Sequence, residues 1–221
     1  MAWITKTGSP GVRAGMARFG LPIEHAVGIP VGVMRAEAGR IGRDYPLALA
    51  LWETGCYEAR LMATMIGDPA VLTPAQMASW CRDFDNWGTV DTACFTLFDR
   101  SPHAWRMVPK WVKAKGEFQK RAGFVMMACL AAHDRKADDA VFMKFLPMIE
   151  KAASDDRNFV KKGVSWALRH LGHRNAVLHA AAVKTATKLS KSEDATERWV
   201  GKDALRDITR PAVLAKVKRR R

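Results

Sequence analysis

The chain has 221 residues and only four cysteines, at positions 56, 81, 94 and 129. No two of them form a CxxC pair, and the six histidines stand at no metal-ligand spacing. This pattern argues against a zinc site and a disulfide framework. It predicts reduced, buried thiols in a cytoplasmic protein that uses no metal or other cofactor. Long apolar runs are also missing: no segment approaches the ~18 consecutive apolar residues of a membrane-spanning helix. The opening segment "MAWITKTGSPGVRAGMARFG" has no continuous apolar core, so it does not read as a secretory leader. Acidic residues are in short supply. Against 36 Lys+Arg there are 22 Asp+Glu, a net charge of +14. A surplus of this size predicts attraction to polyanions: nucleic acid first, an acidic membrane surface second, an acidic protein third.

What is present is a foldable chain, 48% hydrophobic, long enough for one or at most two domains with a real core. Residues 1–29 are rich in Gly and Pro and read as a partly ordered lead-in with room for a short helix. From residue 30 to about 210 the apolar period is helical almost throughout. Helices are expected over 31–42, 45–66, 74–84, 86–99, 103–114, 117–132, 138–153, 157–171, 174–189 and 194–208. Thr73-Pro74 and Ser101-Pro102 each place a capping residue before a proline. No run reads as a strand. Residues 211–221 end in "KVKRRR", a solvated basic tail.

The helices echo one another. "EFQKRAGFVMMACLA" (117–131) aligns with "NFVKKGVSWALRHLG" (158–172), matching Phe118 to Phe159, Lys120 to Lys161 and Arg121 to Lys162. "YEARLMATMIG" (57–67) has a similar shape, with Arg60 in the basic slot. A period near 40 made of helix pairs predicts an all-α, HEAT-like solenoid, with the recurring basic slot lining a concave face. A bundle of helix hairpins without a shared groove is the alternative.

Two positions stand out against this background. In "FVKKGVSWALRHLGHR" (159–174), Val160, Val164, Ala167, Leu168 and Leu171 form the core stripe. Trp166 projects instead with Lys162, Arg169 and His173. Either a neighbouring helix covers it, or it offers a flat polarizable surface beside cations. In "DFDNWGTVDTACFTLF" (83–98), Asp85 or Asn86 can cap a helix on which Trp87 and Asp91 are stacked at i and i+4. Cys94, Phe95 and Phe98 surround Asp91 in that helical projection, so the carboxylate is expected on the apolar side. There it has either a structural partner or a place at a cleft edge.

These residues also carry a resemblance. "NWGTVD" with Trp87 and Asp91, "KRAGFVMMA" with Arg121, "VKKGVSWALRHLG" with Trp166 and Arg169, and "LALALWETGCYEARLMA" (47–63) resemble the AlkD-type DNA alkylation repair glycosylases, in order, from about residue 30 to 208. The resemblance implies a helical-repeat solenoid holding duplex DNA in a basic concave groove. It implies hydrolysis of the N-glycosidic bond of cationic N3- and N7-alkylated purines by a monofunctional, monomeric enzyme that does not extrude the base. Trp87, Asp91 and Trp166 take the catalytic places, and Arg121 that of the groove arginine. Lys120, Lys161, Lys162 and Arg169 are expected to hold phosphates, with the protein on the nucleoid when bound. Gly88 and Gly163 stand where bulkier residues are expected, and both should loosen their helices. The family also includes members that bind DNA without cutting it. A non-catalytic protein for branched or distorted DNA is therefore the second hypothesis, and a helical scaffold for an acidic protein the third.

Overall fold

The computed structural model describes every residue except Pro22, Arg220 and Arg221, so the end of the basic tail lies outside the described residues. All regular structure among them is helical, and the chain forms two compact units, Met1–His103 and Ala104–Arg221. This division does not coincide with the composition change at residue 30.

The first unit begins with α1 (Ala2–Thr7), α2 (Pro10–Met16) and a 3-10 turn (Ala17–Phe19). The lead-in is thus more structured than its composition suggests, because its anchor is distant in sequence. Glu58 is fully buried, and its carboxylate accepts the main-chain N–H groups of Val27 (2.9 Å), Gly28 (2.7 Å) and Ile29 (3.3 Å). Gly28 has φ +83°, and a Cβ there would collide with the Ser9 carbonyl and Arg13, so only glycine lets the segment approach so closely. Next come α3 (Val31–Ile41), α4 (Tyr45–Glu53), α5 (Tyr57–Ile66), α6 (Pro74–Arg82) and α7 (Trp87–Thr96). The single helix expected over 45–66 is two, because Gly55 turns the chain with φ 69°. α5 packs against α3, α4 and α7. Trp52 and Trp80 stack nearly parallel at 4.2 Å in the core, and Asp83 accepts the Trp52 indole N–H at 2.8 Å. Thr73 caps α6 and Asn86 caps α7, each through its side-chain oxygen.

The second unit contains α8 (Ala104–Trp111), α9 (Glu117–His133), α10 (Asp139–Met143), α11 (Phe145–Ala152), α12 (Asn158–Gly172), α13 (Ala176–Ser190), α14 (Ala195–Ile208) and α15 (Pro211–Lys218). Lys144 interrupts the helix expected over 138–153, and α15 carries the start of the basic tail. α9, α12 and α14 run parallel in one row, and residues at equivalent positions meet. Phe118 touches Phe159, with ring centroids 5.2 Å apart, Ser165 donates to Asp203 at 2.6 Å, and His173 lies 2.7 Å from Asp207. The whole predicted core stripe of α12, from Val160 to Leu171, is excluded from solvent. Arg174 extends the repeat beyond the helices by donating to the carbonyls of Ala131, in the last turn of α9, and of Asp134 and Ala137 in the loop that follows.

Candidate nucleic-acid interface

In the first unit α7 buries Gly88, Thr89, Val90, Ala93 and Cys94. Trp87 and Asp91 are half-buried on the other stripe, and Phe95, one turn further, is 39% exposed. This corrects the expected burial of Asp91 on the apolar side. Phe98 would join that stripe only in an unbroken helix, but the chain leaves the helix at Leu97 and Phe98 belongs to a following 3-10 turn. The carboxylate therefore sits on the accessible edge of its helix.

The lead-in helps hold this edge. The Trp87 indole N–H donates to the Phe19 carbonyl at 2.8 Å, which fixes the ring plane across the first turn of α7. Gly88 also has a different role from the one expected. A Cβ there would lie 2.5 Å from the Tyr57 hydroxyl and 2.9 Å from Leu21, so the missing side chain admits close packing beneath Trp87. Tyr57 is buried, and its phenol is pushed far above the usual range, first by burial, then by the negative charges of Glu58 and Asp91. It stays neutral at physiological pH. Arg60 caps the Trp52 face at 5.3 Å and donates to the Asp83 carbonyl at 3.3 Å, placing the family-like Glu58-Ala59-Arg60 segment in a bracing role.

In the second unit Trp166 is half-buried on α12, with the Arg121 guanidinium 6.0 Å from its ring centre and the His170 ring edge-on at 5.7 Å. A cation over an indole at this range contributes about 0.5–1 kcal/mol and restrains the ring. Arg121 itself is 6% exposed and donates to the Phe159 carbonyl at 2.9 Å, so it ties α9 to α12 as well as supporting Trp166. Gly163 lies beneath the same contact. An added Cβ would meet Arg121 and Phe124 at 3.5 Å, an ordinary distance, so packing does not require a glycine there.

The expected phosphate ligands divide into two groups. Lys120 is committed to Asp155 at 2.7 Å, and Arg157 takes the same carboxylate at 2.6 Å. These cations hold Asp155 well below the usual carboxylate range. Lys162 is exposed, and Lys161 lies 5.5 Å over the ring of Trp199. Arg169 is partly exposed, 4.0 Å from Asp203. Trp199, 38% exposed on α14, is an aromatic that the sequence reading missed. It precedes the buried Val200-Gly201 pair, so it stands off its core stripe as Trp166 does. Behind Trp166, His170 is pushed down to about 4, chiefly by burial and then by His173 and Arg169. All four cysteines are free thiols. Three are buried, Cys56 is half-exposed, and burial pushes the Cys81 thiol up to about 12.

Helix pairs repeated at a near-40-residue spacing, with aromatic and cationic side chains on their accessible stripes, define a HEAT-like helical-repeat protein. The profile of the family described as DNA alkylation repair enzyme matches residues 2–208, and the chain belongs to that family. Comparison with curated proteins finds no match. A solved structure described as "a new family of proteins related to the HEAT-like repeat DNA glycosylases with affinity for branched DNA structures" superposes with a TM-score of 0.77. It shares 20% identity, over 93% of this chain and 92% of that one, and so supports the fold.

Proposed function

We propose that this member of the DNA alkylation repair enzyme family is a monofunctional glycosylase releasing cationic N3- or N7-alkylated purines from duplex DNA. Asp91, Trp87 and Trp166 act on the lesion nucleotide. Lys161, Lys162 and Arg169 hold phosphates, and Arg121 positions Trp166. The observation that carries this reading is the accessible stripe of α7. A carboxylate and an indole lie one above the other on a helix whose opposite side is sealed in the core, and a distant main-chain carbonyl fixes the indole.

The chemistry needs few groups. Ordinary glycoside hydrolysis needs an acid to protonate the leaving group as well as a second carboxylate. An alkylated purine already bears positive charge. When the bond from C1′ to the base nitrogen breaks, its electron pair neutralises the base, and no general acid is required. Positive charge then develops on the sugar, where the Asp91 carboxylate and the indole faces stabilise it. Water adds to C1′, and its proton passes to Asp91 and on to solvent. Such preorganised charge contributes several kcal/mol to the barrier reduction in partly desolvated sites.

The test is mass-spectrometric detection of 7-methylguanine and 3-methyladenine released from methylated duplex DNA. Release by the wild-type protein and its near-complete loss in Asp91→Asn, with DNA affinity retained, is the expected result. A second reading, a non-catalytic protein for branched DNA, is favoured by the affinity described for the structural neighbour. It predicts tight, salt-sensitive binding to junctions and no released base from any methylated substrate.

A further inference from the structure

An open cleft of about 440 Å3 lies in the first unit, between the C-terminal half of α3 and the ends of α5 and α7. Three arginines line it, Arg35, Arg43 and Arg100, and no carboxylate does. The nearby acid on α3, Glu37, is taken by Arg40 in a two-point contact at 2.6 and 3.0 Å. Arg43 donates to the carbonyls of Met65 and Gly67, which fixes its position without cancelling its charge. Arg35 and Arg100 are exposed and make no ion pair among the described residues. Phe95 stands in this cationic cleft, 39% exposed. At Gly39 a Cβ would meet nothing within 4 Å, so packing does not demand a glycine there, and the glycine leaves the floor of the cleft bare.

Guanidinium groups bind phosphate through paired N–H donors, and an accessible aromatic ring beside them takes the face of a base. A cleft of this size falls in the range that encloses a small ligand. The base faces in a fully paired duplex are already stacked on their neighbours, so Phe95 is useful only to a nucleotide outside the duplex. The cleft also continues the stripe of the proposed catalytic edge. Phe95 follows Asp91 by four residues, roughly 6 Å along the helix axis, about the reach of one further nucleotide.

We propose that this cleft binds an unpaired nucleotide of DNA, with Arg35, Arg43 and Arg100 on its phosphate and Phe95 against its base. The chain therefore favours duplexes that carry a single-stranded flank. The proposal rests on the DNA-binding reading above but not on its chemistry.

Anisotropy titrations with a labelled duplex, fully paired or bearing a short single-stranded overhang, test it across a salt series. The wild-type protein is expected to bind the overhang substrate more tightly and with a steeper salt dependence. Phe95→Ala should remove most of that gain, about tenfold. Arg35→Ala with Arg100→Ala should lower the salt slope on the overhang substrate by up to about 0.7, the share of one single-strand phosphate. Gly39→Leu, which fills the cleft without changing charge, should also remove the gain. All should leave affinity for the paired duplex, and base release from it, near wild type. An overhang that adds nothing to wild-type binding, or variants that weaken both substrates equally, would overturn the proposal. Overhang preference without base release would retain the cleft and sink the glycosylase reading. Release without overhang preference would do the reverse.

Discussion

The rings of Phe118 and Phe159 meet with centroids 5.2 Å apart, and they are the same position in two successive repeats. The neighbouring Glu117 carboxylate accepts the Phe159 main-chain N–H at 2.9 Å. That N–H is one of the unsatisfied donors at the start of α12, whose own N-cap residue, Arg157, makes no side-chain cap. One repeat thus caps the helix of the next, and the negative charge also favours the positive end of the helix. Glu117→Ala should cost about 1 kcal/mol of stability, as the loss of a cap does. Glu117→Gln should recover part of it. Urea unfolding of the three proteins measures the difference.

The two glycines at the candidate interface should behave in opposite ways. Gly88→Ala places a Cβ 2.5 Å from the Tyr57 hydroxyl and should be destabilising by about 1–3 kcal/mol, the ordinary cost of overpacking. Adding Tyr57→Phe removes the oxygen and should restore part of the loss. Gly163→Ala has room at 3.5 Å and should gain up to about 1 kcal/mol from helix propensity. Thermal melts of the three variants beside the wild type decide it. Equal effects at both glycines would contradict the packing described beneath Trp87.

This contrast shows where sequence reasoning reaches its limit. Helical propensity sees both glycines as weak points, whereas the cost of a Cβ depends on neighbours brought in from residues 21 and 57. The α12 stripe was legible because its period is local and uninterrupted, and Trp166 was rightly read as standing off it. Asp91 reads as apolar-sided for two reasons: Phe95 is apolar in type but exposed in the fold, and a period carried past Leu97, where the backbone departs from the helix, adds Phe98. Apolar periodicity on both sides of Gly55 hides the break that its positive φ makes. The order in residues 2–19 has one local signal, the Ser9-Pro10 pair that caps α2, while much of what holds the region comes from Glu58 and Trp87.

Glu58 provides a direct test of that last point. Removing a fully buried carboxylate that satisfies three main-chain N–H groups leaves those donors orphaned, and should cost about 3 kcal/mol. Glu58→Ala should also speed hydrogen exchange at Val27, Gly28 and Ile29 and expose residues 1–29 to proteolysis before the rest of the first unit. Unchanged protection at these amides would show that the lead-in is held by other contacts.

Stability should fall in mild acid. His170 titrates near 4 in the folded chain, against 6.5 when unperturbed, because burial and the neighbouring His173 and Arg169 disfavour its charged form, opposed only weakly by Asp207. Between these values the unfolded chain binds more protons, so stability rises with pH across the window. The contribution is complete above about pH 6.5 and is lost as pH falls toward 4. It is on the order of 3 kcal/mol at most. His173 is shifted in the same direction, chiefly by burial, so His170→Gln should flatten the acid limb of the stability–pH curve without abolishing it. A curve that keeps the wild-type slope between pH 4 and 6.5 in this variant would exclude His170 as a contributor.

The catalytic proposal makes a sharper demand on Trp87 and Trp166. If the two indoles work on one lesion nucleotide, their effects on single-turnover base release must be coupled, since groups that act as a unit are not additive. Trp87→Ala and Trp166→Ala should each slow release by about 10- to 100-fold, less than the loss of a preorganised hydrogen-bond donor because an indole face holds positive charge more weakly. The double variant should be only a little slower than the worse single. The Trp87 indole is held by the Phe19 carbonyl, so Trp87→Phe, which keeps a ring but loses that hydrogen bond, should fall between wild type and Trp87→Ala. Trp166→Phe keeps a face for Arg121 and should likewise be intermediate. Multiplicative losses in the double variant would mean that the rings serve separate steps, and would end the assignment of both to the same reacting sugar.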